Sequence, residues 1–324
     1  MKREKPNLAD FPFFNEDFTF VHPHLIEAVS RLKLYLSTPG DAGLITIIGS
    51  TGAGKTHVGR EFVKAIIKEN AKEMAADLQF LPAVLASMAL LTAQGKFNWT
   101  LFYSQLLTAL LHPNPSVHDL AEGRRKLQTV LQRRRVQYLL LDEADHFISD
   151  FNADDIEGIE RQANVLKSIV QGTGTKLVLI GTYDVAPLVT LNGQLARRNR
   201  RVHMARYRNT PEDQKAFEGI LRDMDKALRG FFSFSLQEIH ADIYEGCIGL
   251  MGVLRDWLAE AATASLRDGK RTISSEIFFG EDVRPSIDVL DTMLDCAENG
   301  ESKFYVTKEK AKEFKDRVKQ AVDE

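Results

Sequence analysis

Eight consecutive residues in the first third of the chain have the types and spacing of a phosphate-binding loop. They match the pattern GxxxxGK[ST] and are Gly49, Ser50, Thr51, Gly52, Ala53, Gly54, Lys55 and Thr56. Glycines let backbone N–H groups turn inward around phosphate oxygens, and the N-terminus of a following helix favours the negative charge. The Lys55 ammonium reaches the β- and γ-phosphates, and the Thr56 hydroxyl is a ligand for Mg²⁺. The pattern predicts a site for a nucleoside triphosphate with Mg²⁺, and we include the next residue, His57, in it.

Two acidic residues that follow an apolar run supply a second part of the same chemistry. The run Leu139–Leu141 leads directly into Asp142 and Glu143. A carboxylate at the end of a buried strand supports Mg²⁺ through a bound water, which is the role we expect for Asp142. Glu143 beside it is placed to orient and deprotonate an attacking water. Together with the phosphate-binding loop, the pair predicts hydrolysis of the triphosphate.

Two later positions are candidates for contacts with the phosphates. The apolar run Leu177–Ile180 is followed by Gly181 and Thr182, whose hydroxyl is placed to bond the attacking water or the γ-phosphate. A turn threonine at the end of a strand fits the sequence equally well. Arg255, in a later helical segment, is placed to reach back to the phosphates, and the alternative is a surface arginine paired with a nearby acid.

A cluster of arginines precedes the change from strands to helices. Four of the five residues from 197 to 201 are arginines: Arg197, Arg198, Arg200 and Arg201. Arginine donates two hydrogen bonds to a phosphate, so one of them is a candidate for a finger that completes a neighbouring subunit's site. Contact with a DNA backbone and a solvated basic turn are the other two interpretations.

These residues need a scaffold that brings strand ends together, and the apolar pattern indicates one. Short apolar runs alternate with helical periods, which predicts an α/β fold with a parallel sheet covered on both faces. The predicted strands are Leu44–Ile48, Leu78–Val84, Val136–Leu141, Leu177–Ile180 and a short candidate at Arg201–Met204. Thr210 is a predicted N-cap, and residues 211–268 are mainly helical, as in a small α-helical domain. We divide the chain into a nucleotide-binding domain at 1–208, a helical lid at 209–275 and a C-terminal tail at 276–324.

Composition and charge exclude several classes of protein. The chain has 324 residues, with 42 Lys and Arg against 45 Asp and Glu. This balance excludes a uniformly basic protein that coats nucleic acid and an acidic protein with a disordered tail. Residues 1–208 carry 26 basic and 21 acidic side chains, a net charge of +5, and residues 209–324 carry 16 and 24, a net charge of −8. Cys247 and Cys296 form no CxxC pattern, which argues against a disulfide framework or zinc site. With no apolar leader or spanning stretch, we expect a cytoplasmic protein without a membrane segment, associated with the nucleoid when on DNA.

The residues from Asp142 to Asp145 also spell the tetrapeptide of DEAD-box helicases. Such helicases have two α/β lobes. After Leu177–Ile180 the chain holds one more short candidate strand and then helices, which leaves no room for a second lobe. The sequence therefore argues against a helicase.

Taken together, these motifs resemble those of an AAA+ ATPase, and within that superfamily the chain resembles the TniB and TnsC regulators of transposition. The narrower resemblance rests on stretches within about residues 18–275: Phe20–Pro23, Lys176–Thr182, Gln194–Arg198, and Gly249–Arg255 with Gly269–Ile273. It implies a P-loop AAA+ parallel-sheet domain followed by a small α-helical lid. The C-terminal tail at 276–324 lies outside the resemblance, and we expect it to dock a partner. The resemblance also implies an enzyme that hydrolyses ATP with Mg²⁺.

By the same resemblance, Lys55 and Thr56 bind nucleotide and magnesium, Asp142 supports the metal and Glu143 is the catalytic base. Thr182 corresponds to sensor 1 and Arg255 to sensor 2. Arg197 or Arg198 corresponds to the trans arginine finger. The family usually has Phe after the double arginine, and Asn199 stands there, so both remain candidates.

The resemblance further implies assembly into rings or filaments around double-stranded DNA without sequence specificity. The partners are a transposase and a target-selection protein, and ATP hydrolysis dismantles the assembly. As DNA contacts we select Lys96, in a loop-like segment, together with Arg124 and Arg125, although each also suits a solvated surface. The alternatives are a replication initiator or helicase loader, and a signalling ATPase that switches protein partners without DNA.

Overall fold

The sheet at the centre of the molecule has five parallel strands in the order β2-β3-β4-β1-β5. This computed structural model describes residues 11–14, 20–38, 44–88, 97–148, 155–190, 199–305 and 308–323. The strands are β1 (Leu44–Ile48), β2 (Ala83–Ser87), β3 (Tyr138–Asp142), β4 (Lys176–Gly181) and β5 (Arg200–His203). The expected α/β fold with a parallel sheet is confirmed, and the short candidate after the arginine cluster is the fifth strand.

Helices cover both faces of this sheet, which explains why its central strands are apolar throughout. Successive residues of β3 point to opposite sides: Leu139 and Leu141 belong to one core, and Leu140 belongs to the other. In chain order the helices of the described residues are α1 (Pro23–Ser37), α2 (Lys55–Glu69), α3 (Ala71–Ala76), α4 (Trp99–Ala109), α5 (Leu120–Arg133), α6 (Ile156–Val170), α7 (Pro187–Thr190), α8 (Pro211–Ala227), α9 (His240–Cys247), α10 (Met251–Arg267), α11 (Ser275–Phe278), α12 (Ile287–Phe304) and α13 (Lys308–Asp323). Helices α4, α5 and α6 pack on one face, and α1 and α2 pack on the other.

The second strand differs from its prediction. The apolar pattern predicts a strand over Leu78–Val84, whereas β2 begins after Pro82 and ends at Ser87. Leu78 is 87% exposed, so its side chain adds nothing to the core. Pro82 has no N–H to donate, and its carbonyl oxygen instead accepts from the backbone N–H groups of Gln137 and Tyr138 at 2.9 and 3.0 Å. Pairing with β3 therefore starts after the proline.

A second core lies among the helices that follow the sheet. It is formed by side chains of α8, α9, α10 and α11, together with Phe11 and Phe13. At its centre the Trp257 ring stacks on Phe278 with ring centroids 4.2 Å apart, and the indole N–H donates to the Phe278 carbonyl oxygen at 2.8 Å. The Thr210 hydroxyl accepts from the Asp213 N–H at 3.3 Å, as predicted for the N-cap of α8. We call the helical unit formed by α8 to α11 the lid, and the predicted domain boundaries at 208 and 275 stay predictions.

The helices and the two cysteines bear on the expected absence of a membrane segment and of a disulfide framework. Among the described residues, no helix combines the length and the apolar character that crossing a bilayer requires. Cys247 is buried in the helical core and Cys296 is exposed, and both are free thiols.

Candidate nucleotide site

The phosphate-binding loop connects β1 to α2, as its pattern requires. Gly52 and Gly54 have φ values of +77° and +98°, in the left-handed region that glycine adopts without strain. Gly49 has no space for a side chain, because a Cβ atom there would lie 2.1 Å from the Met204 carbonyl oxygen. The loop therefore packs directly against the segment that leaves β5.

Lys55 supplies a positive charge inside this loop. Its ammonium donates to the Ser50 carbonyl oxygen at 2.8 Å and is half-buried. The loss of hydration lowers the pKa of Lys55, and the Asp145 and Asp142 carboxylates nearby oppose this effect. A poorly hydrated cation in a glycine-rich loop is an environment that a polyphosphate fits.

Asp142 and Glu143 lie at the end of β3, two strands from the loop. Asp142 is 7% exposed, and its Oδ1 accepts from the Glu143 N–H at 2.9 Å. Glu143 has a φ of +57° and an exposed side chain. The Ser87 hydroxyl, at the end of β2, donates to Glu143 Oε2 at 2.5 Å. Ser87 was not selected from the sequence, since the predicted second strand stopped before it.

Thr182 follows β4, the strand between β1 and β3. Its backbone N–H donates to Asp145 Oδ1 at 2.9 Å, and its hydroxyl donates to the same oxygen at 2.5 Å. Asp145 was noted in the sequence only as the last letter of the helicase tetrapeptide. The carboxyl ends of β1, β3 and β4 thus bring together Lys55, Asp142, Glu143 and Thr182 at one edge of the sheet.

A cavity of about 130 Å³ lies beside the loop, between the amino-terminal segment, α2 and the lid. Its lining is mostly apolar and is formed by Phe13, Phe20, His22, Gly54, His57, Met224, Met251, Gly252, Leu254, Arg255 and Leu258. Burial lowers the pKa of His57, Glu61 raises it, and Arg60 and Arg255 lower it further. An apolar cavity next to a phosphate-binding loop is suited to the heterocyclic base of a nucleotide. Arg255 and His57 are therefore brought to the site.

The lid is in direct contact with the phosphate loop. The Gly252 N–H, in the first turn of α10, donates to the Gly52 carbonyl oxygen at 2.7 Å. A Cβ atom on Gly252 would lie 2.7 Å from that oxygen, so glycine is required for this approach. Because Arg255 lies one turn further along α10, its position depends on this contact.

Helix α12 covers the same edge of the sheet, and nothing in the sequence indicated this. Its Met293 side chain approaches Gly52, with Cε 3.7 Å from where a Cβ atom would stand. Gly300 packs on the Tyr183 ring, because a Cβ there would lie 2.0 Å from Cδ2. Glu301 is 7% exposed and accepts from Arg206 Nε at 3.1 Å. One helix therefore contacts the phosphate loop, the turn after β4 and the segment after β5.

Two buried histidines link these elements. His22 Nδ1 and the Tyr207 hydroxyl are 2.9 Å apart, and His203 Nε2 and the Tyr183 hydroxyl are 2.7 Å apart. Burial, with smaller contributions from neighbouring positive groups, lowers the pKa of each histidine to about 4. No group of three or more His, Cys, Asp or Glu side chains suited to a metal ion occurs in the described residues. The His22 and Tyr207 rings also pack edge to face, with centroids 5.8 Å apart.

The low pKa of His22 predicts a pH dependence of stability. Between pH 6.5 and about 4 the unfolded chain binds this proton and the folded chain does not, so the free energy of unfolding falls as the pH falls through that range. We expect the His22→Asn variant to lose up to about 1 kcal/mol per pH unit of this slope in urea titrations. The exposed His118→Asn is the control, and an equal change in both variants would contradict the assignment.

Several predicted residues are not part of this constellation. Arg197, Arg198 and Lys96 lie outside the described residues, so their roles stay predictions. Arg124 and Arg125 are exposed on α5, which packs on α4 and α6 on one face of the sheet. Neither lines the cavity beside the phosphate loop.

Comparison with known proteins agrees with this geometry. A family model described as "AAA domain" matches residues 38–189. A search of curated proteins found no match. Among solved structures, a Walker-type ATPase of Pyrococcus abyssi is 14% identical with a TM-score of 0.55, covering 96% of this chain and 81% of that one.

Two Aeropyrum pernix structures are similar to the same extent. The ORC2 protein with ADPNP and ADP is 16% identical with a TM-score of 0.59, covering 86% of this chain and 73% of that one. The ORC1 protein in complex with DNA is 16% identical with a TM-score of 0.56, covering 82% of this chain and 67% of that one. At these identities the likeness is one of fold. Residues 38–189 thus match the AAA domain family model, and the chain has the P-loop AAA+ fold.

Proposed function

We propose that the edge formed by β1, β3 and β4 binds ATP with Mg²⁺ and hydrolyses it. The loop Gly49–Gly54 wraps the phosphates, and Lys55 neutralises their charge. The adenine base lies in the cavity beside His57, and Arg255 lies near the phosphates. Thr56 and Asp142 would hold Mg²⁺, which keeps most of its water ligands and needs few protein oxygens. The observation that carries this proposal is that the half-buried Lys55 ammonium, inside the glycine-rich loop, lies near the Asp142 carboxylate, which in turn accepts from the Glu143 N–H.

Glu143 is the general base in this proposal. It takes one proton from the attacking water, and Mg²⁺ held by Thr56 and Asp142 would offset the charge of the phosphates. The Ser87 hydroxyl uses Oε2, and a carboxylate has a second oxygen to offer. Arg197 or Arg198 of a neighbouring copy would complete the site as a finger, as the resemblance implies.

We propose further that the ATPase acts on double-stranded DNA as a nucleotide-dependent assembly. Two observations support this: one structure of similar fold is of ORC1 in complex with DNA, and the net charge divides into +5 for residues 1–208 and −8 for residues 209–324. The positive part would face phosphates, and the acidic part would face protein partners or solvent.

Two roles fit an assembly of this kind. Replication initiation or helicase loading is supported by the similarity in fold to the ORC proteins. Regulation of transposition, with a transposase and a target-selection protein as partners, is supported by the motifs shared with the TniB and TnsC family. A gene for an integrase-type transposase beside this one would favour transposition, and copurification with a replicative helicase would favour initiation.

Sedimentation of the purified chain with duplex DNA tests the proposal. With ATP we expect large assemblies on DNA, and with ADP we expect them to dissociate. Equal sedimentation profiles with both nucleotides, with and without DNA, would support a signalling ATPase that exchanges protein partners. Binding curves at several salt concentrations separate the classes as well, since phosphate contacts give a steep dependence on salt.

A substitution pair tests which surface contacts DNA. We expect Arg124→Ala with Arg125→Ala to weaken DNA binding and to reduce the slope of log affinity against log salt by about 2. Lys312→Ala with Lys315→Ala, two exposed tail positions, is the matched control and is expected to leave the slope unchanged. Substitution of Lys96 is expected to weaken binding as well. A larger effect from the tail pair would reverse the proposed orientation.

A further inference from the structure

Asp145 and Thr182 form a close pair at the catalytic edge of the sheet. Asp145 lies in a short 3₁₀ turn after β3, and Thr182 follows β4, the neighbouring strand. One carboxylate oxygen, Asp145 Oδ1, accepts both the backbone N–H of Thr182 at 2.9 Å and its hydroxyl at 2.5 Å. The last residue of β4 is Gly181, where a Cβ would lie 2.9 Å from Asp145 Oδ2 and 2.3 Å from a Val185 methyl. The backbone is therefore built for the carboxylate to approach closely.

The hydroxyl of Thr182 has only one hydrogen to donate. Two carboxylates face it: Asp145 Oδ1 at 2.5 Å and Asp184 Oδ2 at 3.2 Å. The Asp184 N–H points to the hydroxyl oxygen at 3.3 Å and occupies one of its lone pairs. Whichever carboxylate takes the hydrogen, none remains for a phosphate oxygen. What the hydroxyl still offers is a lone pair, which accepts a hydrogen.

We infer that Asp145 is a positioning residue that makes Thr182 a hydrogen-bond acceptor for the attacking water instead of a donor to the γ-phosphate. Phosphate oxygens are acceptors, so they gain nothing from a hydroxyl whose hydrogen is committed elsewhere. The water has two hydrogens, and in this arrangement one goes to Glu143 while the other points to Thr182 Oγ1. The water oxygen forms a bond to the γ-phosphorus, the bond from that phosphorus to the bridging oxygen of ADP breaks, and the released proton is on Glu143.

This inference rests on the proposed hydrolytic site, and a kinetic comparison tests it. Thr182→Val removes the hydroxyl and nearly preserves the shape of the side chain. We expect kcat to fall at least about tenfold, since water orientation is lost, with the ratio of the Kd values for ADP and ATPγS unchanged within about twofold. Thr182→Ser keeps the acceptor oxygen and is expected to lose less than about threefold in kcat.

Asp145 variants test whether the carboxylate acts through Thr182. Asp145→Ala is expected to lower kcat about as much as Thr182→Val, whereas Asp145→Asn, whose amide oxygen accepts the same two hydrogen bonds, is expected to restore most of it. In the Thr182→Val background, Asp145→Ala is expected to cost less than about twofold more. If the two losses in kcat are not additive in this way, Asp145 acts by positioning Thr182 and not by a general effect on the structure.

The contrary outcomes are distinct. A selective loss of ATPγS affinity in Thr182→Val, by about fivefold or more relative to ADP, would mean that the hydroxyl donates to the γ-phosphate, and the inference would be wrong. An additive effect of Asp145→Ala in the double variant would also overturn it. Thr182→Val leaves Asp145 in place, so it decides the question even if Asp145→Ala fails to fold. If Glu143→Gln hydrolyses ATP normally, the hydrolytic site itself is misassigned; if Glu143→Gln is inactive and Thr182→Val fully active, only this inference fails.

Discussion

Glu143→Gln is expected to bind ATP as tightly as the unmodified chain and to hydrolyse it at least about 100-fold more slowly. The substitution keeps the size of the side chain and an oxygen that accepts the Ser87 hydroxyl, but it removes the group that takes a proton from water. Equilibrium binding of a fluorescent ATP analogue and release of phosphate under single-turnover conditions measure the two effects separately. Because ATP is retained, assemblies formed on DNA are expected to persist in this variant.

The exposed Glu69→Gln, at the end of α2, is a control that changes charge to the same extent away from the sheet edge. It is expected to hydrolyse ATP at the normal rate. Rapid disassembly of the Glu143→Gln assemblies, or hydrolysis close to the normal rate, would show that another group activates the water.

Glu301→Ala is expected to lower the free energy of unfolding by about 3 kcal/mol, the cost of removing one partner from a buried ion pair. Arg206 is 9% exposed and Glu301 7% exposed, and their atoms Nε and Oε1 lie 3.1 Å apart. Without Glu301, the Arg206 guanidinium keeps one ion pair within the described residues, with the Glu298 carboxylate at 3.7 Å. Urea denaturation measures the loss.

Glu298→Ala is the matched control, since the same guanidinium is involved and the Glu298 side chain is 62% exposed. A surface pair of this kind contributes about 0–1 kcal/mol, so we expect a small change. Equal losses for the two variants would mean that the Arg206–Glu301 contact does not anchor α12. A loss of ATP affinity in Glu301→Ala alone would connect this anchor to the phosphate loop.

The parts of the site that follow from the sequence are those whose chemistry is local. The phosphate loop is a run of eight residues between a buried strand and a helix, and its geometry depends on glycines within the run. Asp142, Glu143 and Thr182 come directly after apolar runs, and parallel strands place such ends at one edge.

What the sequence did not indicate depends on register between distant segments. Ser87 reaches Glu143 because β2 starts after Pro82, and in that register Ser87 pairs with Asp142. The apolar pattern had started this strand five residues earlier, at Leu78. Asp145 meets Thr182 across 37 positions, and Arg206 meets Glu301 across 95. Side chains of this kind carry no periodic signal. Their roles emerge only once strands and helices are packed.

The position of α12 has a consequence for how the chain is made. Protein domains tend to fold as they emerge, with amino-terminal parts first. The five strands and the phosphate loop are all synthesised before residue 204, while the helix that covers Gly52 through Met293 comes later. A nascent chain therefore holds an open phosphate loop until Ile287–Phe304 arrives. A nucleotide that binds before then would meet a site that lacks the wall formed by α12.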